Sequence, residues 1–234
     1  FDGEWIGPYV NLDVAKAHIV STIEELQERA ECSGTVCCLS DHRGNWRKGI
    51  YPNYKQSRTG RKPFGWLQLE EWIKSKWTTQ LFRHCEADDV MGILATMEGG
   101  FLTGGTVIVS DDKDLRTIPG RFMTIRGDEG PEDISQREAD MWHLKQSLMG
   151  DRVDDYPGCP GYGIKTAEKL LDPISADMPV WSDEAVMICW RAVAIAYEKK
   201  GILEEDALVQ ARVARILRAS DWDQDTEEVI LWKP

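Results

Sequence analysis

The chain has 234 residues, 42% of them hydrophobic, and a formal net charge of −12 at pH 7. This length and composition exclude a disordered chain and favour one large domain or a domain with an appendage, while the net charge taken alone argues against a polyanionic partner. No apolar run approaches the roughly 20 residues needed to cross a bilayer, and the Cys residues show no CxxC spacing. We therefore expect a cytoplasmic protein with no membrane contact, no zinc cage and no disulfide framework.

Hydrophobic periodicity predicts an α/β region followed by helices. Apolar residues at helical spacing over 10–30 predict an amphipathic helix, and the short apolar runs at 35–40 (TVCCLS) and 106–110 (TVIVS) predict buried parallel strands. Further helices are predicted at 66–77, 87–98, 135–149, 163–171, 184–199 and 204–218. Strands that alternate with helices indicate a mostly parallel sheet flanked by helices, and 172–183 is the best linker candidate.

Positive charge is concentrated in one segment of this acidic chain. No acidic residue occurs between Asp41 and Glu70. Seven basic residues lie there: Arg43, Arg47, Lys48, Lys55, Arg58, Arg61 and Lys62. Such a segment is most often a solvated loop, but it is also the electrostatic pattern of a surface that faces a polyanion.

Acidic residues follow the predicted strands or open the element after them. They are Asp41, then Glu86, Asp88 and Asp89 in EADD, then Asp111, Asp112 and Asp114 in DDKD. Each group alone fits a solvated turn or the first turn of a helix. Because ligands of open α/β sheets gather at the carboxyl ends of strands, we expect the groups to share one crevice. Crowded carboxylates need hard cations, which favours two Mg²⁺ or Mn²⁺ ions and in-line hydrolysis of phosphodiesters.

The stretch GDRVDDYPGCPGYGIKTAEKLL (150–171) places further carboxylates ahead of a glycine-rich turn. Asp151 and Asp154 could add two metal ligands. The turn PGCPGYG bares backbone groups in front of a helix that begins near Ile164, an arrangement typical of a phosphate cradle. Taken alone, the same string also fits a tight turn followed by a helix start.

Four motifs in chain order resemble those of the 5′-to-3′ exonuclease and flap endonuclease superfamily, particularly the small stand-alone exonucleases of tailed bacteriophages. They are YPNYKQSR, EADD, SDDKDL and the stretch 150–171, and the terminal ARILR and EVILWKP extend the likeness. The resemblance implies a PIN-like α/β nuclease core over 1–149 with a helical arch at about 42–78. It also implies a helix-three-turn-helix DNA-binding motif and a C-terminal helical region over 150–234.

The resemblance implies a Mg²⁺-dependent enzyme that releases nucleotides from 5′ ends and cuts flaps. Its partner would be DNA with 5′ ends or flaps, or an RNA–DNA hybrid, with no obligatory protein partner and with the host cytoplasm as its location if a phage encodes it. Two other readings stay open, a catalytically impaired DNA-binding module and a PIN-type ribonuclease. Metal-dependent cleavage and a preference for single-stranded RNA would separate them.

The resemblance also assigns roles to single residues. The first metal cluster is Asp41, Glu86, Asp88 and Asp89, and the second is Asp112, Asp114, Asp151 and Asp154. Lys55 neutralises the scissile phosphate and acts in catalysis with Asp41, Glu86 and Asp88. DNA contacts fall to Tyr54, which stacks on a base, Arg58, Arg61, Lys62, Gly158, Gly161, Gly163 and Lys165. Carbonyls of the glycine-rich turn match a K⁺ site, and Asp111 and Asp155 are bystanders.

One stretch departs from the family pattern. Relatives open with an apolar strand that ends in Asp-Gly, whereas FDGEW offers one apolar residue before Asp2, too few for a buried strand of about five residues. We therefore expect that the chain lacks this strand, that Asp2 is no ligand and that the sheet position beside 35–40 is either unoccupied or filled by an intruding segment. On this expectation the isolated chain binds DNA but cleaves it poorly.

Overall fold

The computed structural model describes residues 10–60, 62–97 and 105–234. Asp2 and Arg61, both singled out from the sequence, lie outside these ranges, and their roles stay predictions. None of the helices described combines the length and apolar character that a membrane span requires.

The first half of the chain alternates helices with short strands. Its helices are α1 (Leu12–Ala30), α2 (Arg47–Ile50), α3 (Trp66–Lys76) and α4 (Ala87–Thr96). Its strands are β1 (Val36–Cys38), β2 (Thr78–Gln80) and β3 (Val107–Val109). The side chain of Asn11 caps α1 by accepting hydrogen bonds from the backbone N–H groups of Asp13 and Val14, which fixes where that helix begins.

The second half is mainly helical. Two more strands, β4 (Gly120–Met123) and β5 (Glu132–Ile134), are followed by α5 (Gln136–Met149), α6 (Ile164–Ala176), α7 (Asp183–Glu198), α8 (Glu204–Ala214) and a hairpin of β6 (Trp222–Asp223) and β7 (Glu228–Val229). A reciprocal capping box between Ser135 and Glu138 starts α5. Leu144, Leu148, Leu171 and Val193 are fully buried in the core that these four helices share.

The strands form small separate sheets. β1 and β2 pair in parallel with Val36 opposite Thr78, and β3 pairs in parallel with β4, which pairs antiparallel with β5. The prediction of one mostly parallel sheet is therefore only partly met, and β1 is half-buried instead of buried. Within the described ranges β1 pairs with β2 alone, and whether another strand belongs on its other edge stays a prediction.

Two helix ends differ from those predicted. α6 continues to Ala176, past the predicted end at 171 and into the proposed linker. α8 stops at Ala214, although the pattern predicts helix to 218. The backbone beyond α8 leaves the helix because its polar groups bond elsewhere: the carbonyl of Arg215 accepts from Arg47, and the N–H of Leu217 donates to Asp89.

Candidate functional site

The acidic groups predicted to share a crevice lie at the ends of neighbouring elements. Asp41 follows β1, and its N–H donates to the carbonyl of Cys85, just before α4 (2.9 Å). The hydroxyl oxygen of Tyr54 lies 2.8 Å from a carboxylate oxygen of Glu86 and 2.9 Å from one of Asp154, so a carboxylate from each predicted cluster lies within hydrogen-bonding reach of one O–H group. The strand ends and the turn after α5 thus meet at one place.

Two carboxyl groups in this crevice hold their protons far more tightly than usual. Burial, then the charges of Asp112, Asp89 and Glu86, raise the pKa of Asp88 to about 7. Burial, then the charge of Asp112 and that of Asp151, raise the pKa of Asp114 to about 6. Such shifts arise where like charges lie a few Å apart in a poorly solvated space.

The same carboxylates suit hard divalent cations. One oxygen of Asp114 (Oδ1) is buried and has no hydrogen-bond partner. An all-oxygen donor set with raised pKa values is what Mg²⁺ or Mn²⁺ neutralises. Among the described residues, no three His, Cys, Asp or Glu side chains converge closely enough to hold an ion as they stand, so binding would draw them together.

Asp41 is already engaged by neighbouring donors. Its Oδ1 accepts from the guanidinium of Arg43 (2.8 Å) and from the backbone N–H of the same residue (3.0 Å), and its Oδ2 accepts from the N–H of His84 (2.8 Å). The hydrogen bond from the Arg43 side chain is the largest of the effects that hold the pKa of Asp41 below its usual range. Asp41 is therefore a fixed anion at the edge of the crevice, and it becomes free to bind a cation when the exposed side chain of Arg43 moves away.

Asp89, expected as a metal ligand, instead forms a buried ion pair with Arg47. The two terminal nitrogens of the Arg47 guanidinium each donate a hydrogen bond to the carboxylate of Asp89: Nη1 to Oδ2 at 2.8 Å and Nη2 to Oδ1 at 2.7 Å. Arg47 belongs to the segment expected to face a polyanion, yet it is 3% exposed. A buried cation needs a buried anion, so Arg47 turns inward here and the ion pair occupies the carboxylate of Asp89.

Lys55 lies between carboxylates of both predicted clusters. Its Nζ lies 2.5 Å from Oε1 of Glu86 and 3.5 Å from Oδ2 of Asp154. Burial raises the pKa of Glu86, but the charges of Arg47 and Lys55 outweigh it and bring the value to about 2. The side chain of Lys55 is 15% exposed, so its ammonium group lies inside the crevice instead of projecting from the arch.

The other residues of the predicted arch divide into buried and exposed ones. Tyr54 is expected to stack on a base, but it is only 2% exposed, and its hydroxyl lies within hydrogen-bonding distance of two carboxylates. Its ring is therefore not available to a base in this structure. Arg58 is half exposed and pairs with Asp154 (2.6 Å). Lys62 is exposed, and its Nζ lies 2.9 Å from a ring nitrogen of His42.

The glycine-rich turn has a buried part around Gly158 and an exposed part from Gly161 onward. Gly158, expected to contact DNA, is buried at φ +64, and a Cβ added there would lie 2.3 Å from the backbone nitrogen of Gly150. Its role is close packing of two chain segments. Gly161 (φ +85), Gly163 and Lys165 are exposed, although the N–H of Gly163 already donates to the hydroxyl of Thr166 (2.8 Å).

Two site residues escaped prediction from the sequence. Arg47 sits in a run of basic residues and carries no local signal that it turns inward. Gly150 does carry one, because a glycine directly after an apolar periodic run is typical of a helix C-terminus, and its φ of +66 agrees. The Asp151 to Tyr156 backbone bridge, which carries two of the predicted ligands, starts from this glycine.

The chain is similar in sequence to phage exonucleases. No model of a known protein family matches the chain. The exodeoxyribonuclease of Enterobacteria phage T3 is 32% identical over 213 residues, which are 81% of this chain and 70% of that protein. The exonuclease of Escherichia phage T7 is 30% identical over 232 residues, 90% of this chain and 77% of that protein.

A flap endonuclease Xni of Shewanella oneidensis is 30% identical over 146 residues, 54% of this chain and 52% of that protein. Among solved structures, the phage T5 flap endonuclease in a pseudo-enzyme-product complex with DNA and metal ions superimposes with a TM-score of 0.54 at 16% identity, covering 83% of this chain and 84% of that one. The phage T5 5′-exonuclease with bound zinc gives 0.53 at 17% identity, covering 85% and 88%. At these identities the two structures support the fold.

Proposed function

The chain belongs to the 5′-to-3′ exonuclease and flap endonuclease superfamily, and we propose that its carboxylate crevice hydrolyses DNA phosphodiester bonds with the help of two divalent ions. It is a nuclease that acts as a 5′-to-3′ exonuclease and as a flap endonuclease on DNA. The resemblance seen in the sequence is thereby confirmed, since two relatives that match most of the chain are named exonucleases and a relative that matches about half of it is named a flap endonuclease.

The observation that carries the proposed mechanism is the crowding of carboxyl groups, of which Asp88 and Asp114 have no ion-pair partner among the described residues. The raised pKa values of Asp88 and Asp114, with the unpartnered oxygen of Asp114, support a place for divalent cations, by preference Mg²⁺ or Mn²⁺. The residues that would hold them are Asp41, Glu86, Asp88, Asp112, Asp114, Asp151 and Asp154. Bound ions of this kind lower the pKa of a water and neutralise charge on the scissile phosphate.

Lys55 supplies the cation that the protein itself brings to the phosphate. It is held between Glu86 and Asp154, so it lies at the meeting point of the two carboxylate clusters. We expect the phosphate oxygens to replace part of this pairing when DNA enters. A preorganised cation aimed at developing charge acts mainly on the transition state.

DNA would be held on both sides of the crevice. Arg58 and Lys62 offer exposed cations on the arch side, and Arg61 shares that prediction although it lies outside the described ranges. Gly161, Gly163 and Lys165 offer an exposed turn and a cation at the start of α6 for duplex backbone, with K⁺ on the turn carbonyls as part of the proposal. We also propose that the enzyme acts on RNA–DNA hybrids, needs no protein partner and is located in the cytoplasm.

The test uses duplexes labelled at the 5′ or the 3′ end, with and without a flap, in Mg²⁺ and then in excess EDTA. We expect early release of the 5′ label, cleavage at the flap and loss of both in EDTA. Undiminished cleavage in EDTA would refute the metal-dependent mechanism. DNA binding without any cleavage would favour a DNA-binding module, and preferred cleavage of single-stranded RNA would favour a ribonuclease.

A further inference from the structure

The guanidinium of Arg47 is buried among acceptors from two separate parts of the chain. Nε donates to the carbonyl of Val213 (2.9 Å), and Nη2 donates to that of Arg215 (2.6 Å). Nη1 reaches Oε2 of Glu86 at 3.2 Å, and both Nη atoms hold Asp89. All the donors of this arginine are therefore directed at fixed partners, which leaves none for a DNA phosphate.

The carboxylate of Asp89 is saturated in the same way. Oδ1 accepts from Arg47 and from the N–H of Leu217 (3.2 Å), and Oδ2 accepts from Arg47, from the indole N–H of Trp46 (3.1 Å) and from the N–H of Glu86 (3.2 Å). The residue is 0% exposed. Two carboxylate oxygens offer about four acceptor sites, so no lone pair remains for a cation.

These contacts join the catalytic end of α4 to the segment formed by the last two residues of α8 and the three that follow it. That segment, residues 213–217, is bound to Arg47 through two carbonyls and to Asp89 through one N–H. Gly92 lets it approach closely, since a Cβ there would lie 2.3 Å from the carbonyl oxygen of Leu217. The position of Glu86, one turn before Val90, thus depends on residues more than a hundred positions away in the sequence.

We infer that Arg47 is a positioning residue, which locks Glu86 and the start of α4 onto residues 213–217 with Asp89 as its counter-ion, and that Asp89 is not a metal ligand. The inference rests on the proposed nuclease function, because Glu86 matters as a candidate ligand and as a partner of Lys55. Misplacing a reacting group by about 1 Å costs on the order of 10²-fold in rate.

The first experiment measures Mn²⁺ affinity by calorimetry, which needs no catalysis. The double variant Arg47→Met with Asp89→Leu removes one positive and one negative charge together, so the net charge of the site stays the same. We expect its Mn²⁺ affinity to fall by about tenfold, because Glu86 loses an orienting partner while every ligand remains, whereas Asp88→Asn, which removes a ligand, weakens binding by clearly more than that. Equal weakening in the double variant would make Asp89 a ligand and overturn the inference.

The second experiment compares Arg47→Lys with Arg218→Lys on 5′-flap DNA in Mg²⁺. Lysine keeps the charge but lacks the fork that holds two partners at once. Arg218 is the matched control, because it is also buried, pairs with Asp140 (2.8 Å) and donates to the carbonyl of Thr117, outside the proposed ligands. Each variant is assayed well below its own unfolding temperature.

For Arg47→Lys we expect kcat to fall about 10²-fold with KM within about threefold of the parent, while Arg218→Lys keeps its kcat at a comparable loss of thermal stability. A kcat within threefold of the parent, or an equal loss in both variants, would overturn the positioning role. If the double variant does not fold, the comparison of kcat between Arg47→Lys and Arg218→Lys decides whether Arg47 is a positioning residue. If the parent itself does not cleave DNA, the proposed function fails and the Mn²⁺ affinities decide the inference.

Discussion

Gly158 and Gly161 provide a matched pair of substitutions in one turn. Both have positive φ, +64 and +85, so alanine at either position takes a left-handed backbone that L-residues rarely adopt. They differ in the space around the missing side chain. At Gly158 an added Cβ would lie 2.3 Å from the nitrogen of Gly150 and 2.5 Å from the carbonyl oxygen of Leu148, whereas at Gly161 the nearest atom is Nζ of Lys200 at 3.6 Å.

The expected difference in the free energy of unfolding is found by removing the contributions that the two variants share. The left-handed backbone costs alanine about 1–2 kcal/mol, and the loss of glycine's freedom in the unfolded chain returns about 0.4–1 kcal/mol. Both terms apply equally to Gly158→Ala and Gly161→Ala. The difference between them is the steric term, and forced overpacking costs about 1–3 kcal/mol. We expect Gly158→Ala to be less stable than Gly161→Ala by this amount.

Urea unfolding followed by far-UV circular dichroism and by tryptophan fluorescence measures both free energies of unfolding, and coincident transitions establish that one number describes each variant. Because the turn from Asp151 to Tyr156 is braced by this packing, Gly158→Ala should also lower activity, while Gly161→Ala acts on DNA affinity. Equal free energies of unfolding for the two variants would refute the assignment of Gly158 to packing.

Three further outcomes are expected. Lys55→Ala should lower kcat about 10²-fold or more and weaken DNA binding in Ca²⁺ far less, because its cation meets charge that develops in the transition state; equal losses of rate and affinity would make it a mere anchor. Lys165→Ala should weaken duplex binding and reduce its salt slope by about 1, and an unchanged slope in a titration with NaCl would remove it from the interface. His143 is buried against the carbonyl of Ala211, and burial, with the charge of Arg215, lowers its pKa to about 3. Below about pH 6.5 His143 is protonated in the unfolded chain but stays neutral in the folded chain. The free energy of unfolding therefore decreases as the pH falls, by about 2 kcal/mol at pH 5. His143→Gln should show a shallower decline between pH 7 and pH 5, and an identical decline would contradict the assignment.

The sequence by itself determined most of the helices, two of the strands and the chemical character of the site. Local periodicity predicts α1, α3, α5 and α7 to within a residue or two, because a helix that packs on one face must repeat its apolar residues with that period. The acidic groups follow strands or open helices, and their positions along the chain are enough to predict a shared crevice, since strand ends meet at one edge of a sheet. The motifs led from there to the family.

Only the tertiary structure decided what each charged or aromatic side chain does. Arg47 and Lys48 are neighbours in one basic run, yet Arg47 is 3% exposed and Lys48 is exposed. Tyr54 looks like a stacking residue and is instead a buried donor to Glu86 and Asp154, and Asp89 looks like a third acid of EADD and is the counter-ion of Arg47. Sequence patterns report periodicity and composition, whereas the partner of a buried polar group comes from segments far away in the chain. Such a group must find that partner or lose stability, so its role is fixed only when distant segments pack together.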